Sequence, residues 1–166
     1  MKQLLLIACA AALVSCATNE PKPTAKEQVQ GLQTMCKEAA PAMKARQEQK
    51  SLYLRLGQKK KIEVLVSKLY DAHKSNKDIG HMFKKVRKKP FSRNVVAFLT
   101  VGTGGGGKYT GRNMTDAHKH LKITNEDFLA AGGDVNAVMK EMKYGDNEIQ
   151  EVVCALVSFV PQVVID

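Results

Sequence analysis

Tryptophan is absent from this chain, and aromatic residues make up only 5% of it. Leu, Val, Ala, Lys and Met dominate instead, a mixture that favours helices over sheets. No sustained alternation of apolar and polar residues occurs, which argues against a β-fold. Long apolar runs are lacking too. The longest, at residues 4–14, falls short of the roughly 20 residues a membrane-spanning helix needs. Cysteine is scarce, with four residues and no CxxC or Cys/His cluster, so nothing indicates zinc. Acidic residues are outnumbered, 16 against 26 lysines and arginines, for a net charge of +10. Such a surface favours anionic partners such as lipid headgroups; no nucleic acid is expected. At 166 residues the chain is long enough for one core and too short for two ordinary domains.

The first residues stand apart. Lys2 followed by the apolar stretch has the form of a signal peptide. Its end, Leu13-Val14-Ser15-Cys16, resembles the bacterial lipobox, in which the cysteine receives a diacylglyceryl group and becomes the new N-terminus. On that reading residues 1–15 are removed and Cys16 is lipidated, which satisfies the need of a stable anchor for more than one acyl chain. The mature protein is then expected outside the cytoplasm, held to the periplasmic side of a membrane or to the cell surface. An ordinary secretory signal with a chance cysteine is the competing reading.

Residues 16–25, with Pro21 and Pro23, read as a tether. In residues 26–50, Val29, Leu32, Cys36, Ala39 and Met43 share one helical stripe that Pro41 interrupts, as expected of an amphipathic extension. Cys36 and Cys154 outlast the signal and can pair in an oxidising compartment. Cys154, however, sits on an apolar helical face and reads as a small buried residue.

From Ser51 to the end the pattern strengthens. Ile62, Leu65, Val66, Leu69, Tyr70 and His73 recur at helical spacing, in a helix expected to end before Gly80. Pro90 suits the first turn of a helix whose face runs Phe91, Val95, Phe98 and Leu99. Thr124 to Asp127 resembles a capping box, followed by Phe128, Ala131, Val135, Val138 and Met142. Asp146 can cap a last helix carrying Ile149, Val152, Val153, Leu156 and Val160, which Pro161 is expected to stop. Residues 102–107 satisfy GxGxxG as a string, but a dinucleotide site needs a strand before and a helix after, whereas here a helix precedes. The glycines read as a flexible reversal that passes close to something flat.

None of the four histidines is diagnostic alone. The run Tyr109-Thr110-Gly111-Arg112-Asn113-Met114 followed by Ala117-His118 closely resembles the segment of group I truncated haemoglobins that carries the haem-ligating histidine. Ala97-Phe98-Leu99-Thr100 and Ser51-Leu52-Tyr53 with Leu56-Gly57 resemble the same family, and the spacing from Tyr70 through Phe83 and Val95 to His118 fits without a gap. The resemblance covers residues 51–166 and implies an all-α, two-over-two globin domain behind the helical extension.

It also implies roles. His118 is the proximal iron ligand, and Met114 and Tyr109 meet the haem edge. Tyr70 is the distal tyrosine, Phe83 is wedged against the porphyrin, and Phe91 and Val95 face the distal side. Those two depart from the family, which often carries glutamine there. One lost hydrogen bond to a polarised ligand is worth about 1 to 2 kcal/mol, so oxygen is expected to leave faster than from relatives with the full polar set. Asn94 is rotated about 100° from Val95 and is no substitute. His73 and His81 lie near Tyr70 in sequence and are candidates for a sixth iron ligand if the distal pocket collapses; His120 reads as a surface or propionate-side residue. The implied function is reversible binding of oxygen or other diatomic gases. Nitric oxide detoxification is open to such a site if an external electron donor restores the iron, for no flavin or nicotinamide motif is present. A second reading keeps the fold without haem, as a lipid-anchored basic protein that contacts anionic envelope components. The lysine and arginine clusters at residues 59–61 and 84–89 read first as solvated faces.

Overall fold

The structure, a computed structural model, describes residues 21–165. The expected signal, the lipidation of Cys16 and the first half of the tether, residues 16–20, lie outside the described residues.

Eight α-helices follow one another among those residues: α1 (Ala25–Gln49), α2 (Leu52–Arg55), α3 (Gln58–Ser75), α4 (Lys88–Gly102), α5 (Met114–His118), α6 (Asn125–Glu141), α7 (Asp146–Val157) and α8 (Val160–Val163). A 3-10 turn, Gly80–Phe83, links α3 to α4. Strands are absent from the described residues, and a single bridge pairs Ile123 with Val164. The fold is all-α and two-over-two. Helix α3 lies against α4, α6 against α7, and the α3–α6 contact joins the pairs. The apolar stripe of α3 makes that joint, with Ile62, Leu65 and Val66 fully buried against Leu56 and Met139.

Local chemistry sets the boundaries. Thr124 and Asp127 form the expected capping box at the start of α6, and Thr24 and Glu27 form another at α1. Between α2 and α3 the chain turns at Gly57 with φ of 84°, where a Cβ would collide with the Lys61 side chain. Three expectations need correction. Pro41 does not interrupt α1, which runs through it as one helix of 25 residues; packing along its length outweighs the one backbone hydrogen bond that proline removes. Asp146 does not cap α7, for Gly145 takes that place and Asp146 is its first residue, where a carboxylate still favours the positive end of the helix. Pro161 does not stop a helix either. Helix α7 ends at Val157, and Pro161 lies in the first turn of α8, where its fixed φ and missing N–H are no handicap.

A fourth correction concerns Cys154. It is buried, but it is bonded to Cys36 with 5.4 Å between the Cα atoms, so α1 is covalently fastened to α7. One turn earlier on α7, Glu151 is 6% exposed and accepts from Arg46 of α1 at 2.5 Å and from Arg55 of α2, which also reaches Glu148 at 2.6 Å. Burial alone would make the Arg55 guanidinium easier to deprotonate; hydrogen bonds and charge from Glu151 and Glu148 outweigh that and raise its pKa further.

Candidate functional site

Helix α5 is a single turn, and its start is tightly specified. The Asn113 side chain accepts from the Asp116 backbone N–H at 2.7 Å and donates to the Asp116 carboxylate at 2.9 Å. Lys119 donates to the same carboxylate, and with Asn113 it holds the Asp116 carboxyl below the usual range. This scaffold presents His118 at the last position of α5, half-buried.

The imidazole is oriented by its own helix. His118 Nδ1 lies 2.9 Å from the Met114 carbonyl oxygen. A carbonyl only accepts, so Nδ1 carries a proton, and in the neutral ring the lone pair is then on Nε2. That is the tautomer a metal ligand requires. Nδ1 of His81 faces the Asp78 carbonyl at 2.8 Å in the same way, but His81 is exposed.

The surroundings of α5 are apolar and incompletely covered. Helix α5 packs against α8. Phe98 of α4 meets Tyr109, on the loop leading into α5, with ring centroids 5.4 Å apart, and Phe159, just before α8, at 5.5 Å. Phe98 therefore ties α4 to both sides of the α5 region. Along α4, Phe91 and Val95 lie at the margin of the core, and Val153 and Leu156 do so on α7; all are only partly buried. Partly buried apolar side chains along α4 and α7, and an imidazole on α5 with a nitrogen left over, are the chemistry that a flat, apolar, metal-centred group requires, so the residues present fit a haem.

A second aromatic group forms toward the N-terminal end of α4. Tyr70 is 4% exposed, with its ring 6.0 Å from Phe83 and 5.4 Å from Phe91; Phe83 and Phe91 are themselves 5.7 Å apart. The structure thus brings Tyr70, Phe83 and Phe91 together, and joins Tyr109 to Phe98. The Tyr70 hydroxyl donates to the Val86 carbonyl at 2.7 Å, so its only proton is already engaged.

His73 contributes a pair that the sequence did not suggest. Its Nδ1 lies 2.8 Å from the Asp134 carboxylate on α6, which also accepts from Asn76 at 2.9 Å. Its ring packs on Phe83 at 5.4 Å. No spacing rule joins positions 61 residues apart in sequence, and Asp134 on a semi-apolar helix was the one available hint. The glycine-rich reversal behaves as expected, with positive φ at Gly104, Gly106 and Gly107. Gly105 passes so close to Thr100 and Tyr53 that a Cβ would lie 2.7 Å from the Thr100 carbonyl oxygen. The close partner is the end of α4.

Comparison with known proteins places this arrangement. The model of the bacterial-like globin family matches residues 51–163. A group 1 truncated hemoglobin from Synechocystis is 35% identical over 106 residues, covering 61% of this chain and 86% of that protein. One from Tetrahymena pyriformis is 30% identical over 101 residues, covering 61% and 84%. Among solved structures, the Fe(III) form of the Tetrahymena pyriformis truncated hemoglobin superposes with a TM-score of 0.64 at 25% identity, over 70% of this chain and all of that one. A 2/2 hemoglobin from Synechococcus, in the cyanomet state with covalently attached heme, gives 0.62 at 25% identity, over 68% and 94%.

Proposed function

The chain belongs to the bacterial-like globin family, and we propose accordingly that it binds oxygen or another diatomic gas reversibly, at a haem whose iron is held by Nε2 of His118. Haem is the cofactor of this family and of the truncated haemoglobins to which the chain is similar. The observation that carries the choice of His118 is the bond from its Nδ1 to the Met114 carbonyl, which orients the ring on a half-buried helix end with Nε2 left over for a metal. Bound there, haem supplies an iron centre with a position open to a small gas.

The residues of this chain do the rest. Phe91 and Val95 line the distal side without offering a donor and keep water out. Tyr70 carries the one hydroxyl among Tyr70, Phe83 and Phe91, and to donate to a gas it must first leave the Val86 carbonyl. Tyr109 and Met114 border the proximal edge. The same site is suited to oxidising nitric oxide, provided one electron per turnover arrives from outside, since the sequence carries no flavin or nicotinamide motif. An extracytoplasmic location, with Cys16 lipidated, agrees with the Cys36–Cys154 disulfide, because such bonds persist in oxidising compartments.

Gas binding is tested with the hemin-loaded, reduced protein under alternating oxygen and argon. Reversible spectral exchange between two forms supports the reading. Irreversible oxidation on first exposure, with no oxygenated form on any timescale, contradicts it.

A further inference from the structure

Net charge is distributed unevenly over this molecule. Residues 71–93 contain eight lysines and arginines and only two aspartates, a net +6 within a chain of net +10. All of these cations except Lys88 are exposed. Lys88 is half-buried and pairs with Asp71 at 2.5 Å; among the described residues none of the others is paired with a carboxylate. The segment also closes on itself. The Nζ atoms of Lys74 and Lys88, from its two ends, lie 5.8 Å and 5.6 Å from the centre of the Tyr70 ring. Two of these cations, one from the end of α3 and one from the start of α4, thus meet over the Tyr70 ring, and the others lie on the segment between and just beyond them.

Exposed like charges at this density repel one another and lower stability unless an anion meets them. Reversible gas binding consumes no electron, but the nitric oxide oxidation raised above, on which this inference rests, requires one per turnover from another molecule, and a lipid surface supplies none. We infer that residues 74–93 form the docking surface for an acidic one-electron carrier, a flavin or iron-sulfur protein with carboxylates around its redox group. One electron passes from the carrier to the ferric haem. The carrier is oxidised by one electron, the iron is reduced from ferric to ferrous, and no group is transferred. Complementary charge speeds the encounter while leaving a small interface that separates quickly, as repeated turnover requires.

The test uses the hemin-loaded chain and a flavodoxin, an acidic flavin-carrying electron carrier, as the probe. Two quantities are measured, the affinity of oxidised flavodoxin and the rate at which reduced flavodoxin converts ferric to ferrous haem, at low salt and at ~0.3 M salt. Both are expected to fall about tenfold with salt and about tenfold in the variant Lys84→Glu/Lys85→Glu/Lys89→Glu. The control Lys59→Glu/Lys60→Glu and reduction by a small uncharged reductant are expected to stay unchanged. Equal losses in both variants, or in neither, overturn the inference. So does a loss of binding to phosphatidylglycerol vesicles in the triple variant while the flavodoxin rate holds, which assigns the patch to a membrane. A chain that gives no Soret band with hemin fails at the earlier step, that of haem binding, and removes this inference with it.

Discussion

At the scale of single residues the site is asymmetric. On one side, His118 is held by Met114 in the tautomer that leaves Nε2 available. On the other, Tyr70 has committed its proton to the Val86 carbonyl, and its ring neighbours Phe83 and Phe91 offer no donor. The net gain when Tyr70 turns to a gas is therefore a difference between two hydrogen bonds, on the order of 1 kcal/mol or less. Tyr70→Phe is expected to speed oxygen release by no more than about tenfold, as measured by stopped-flow mixing. A hundredfold change would mean that the hydroxyl is free of Val86 in the gas-bound protein. For His73, engagement with Asp134 leaves Nε2 as the one nitrogen able to reach iron. Asp134→Asn is expected to keep the fold while changing the fraction of low-spin ferric haem if His73 ever ligates, and to leave the spectrum unaltered if it does not.

At the scale of helices, α1 belongs to the globin body rather than to a detached arm. Cys36–Cys154 and the Arg46–Glu151 pair fasten it to one face of α7, with Val29 buried at its N-terminal end. Replacing both cysteines by serine is expected to lower unfolding free energy by about 2 to 4 kcal/mol, since the bond closes a loop spanning 118 residues. Urea denaturation under non-reducing conditions measures this, and an unchanged midpoint would show that the bond is not formed. Glu151→Gln leaves Arg46 against a neutral amide while Arg55 keeps Glu148, and is expected to cost about 1 to 3 kcal/mol, more than the loss of an exposed pair. The same denaturation experiment on Lys68→Ala, which breaks the exposed contact with Glu141, provides the contrast of ~0.5 kcal/mol.

At the scale of the whole molecule, much of the fold was legible because helical periodicity is a local property. The stripes of α3, α4, α6 and α7 can be read from spacing, and the Thr124 capping box from four consecutive residues. What could not be read joins residues far apart. Cys36 with Cys154, Arg46 with Glu151, and His73 with Asp134 all depend on which helix faces come together, and no local rule carries that information. The misjudged ends of α7 have a related cause, since a proline that stops one helix serves equally well to begin the next. Within the candidate site, a segment of ten residues is what singles out His118 among the four histidines. The commitment of the Tyr70 proton was not, because Val86 lies on a loop whose path only the fold determines.

The central claim is that His118 supplies the iron ligand, and the most direct test removes the imidazole and returns it. His118→Gly, prepared with hemin and titrated with free imidazole, is expected to lack the parent Soret spectrum until imidazole is added and to recover it at saturation. A variant whose spectrum matches the parent before any imidazole is present would contradict the account, for the iron would then be held by another residue.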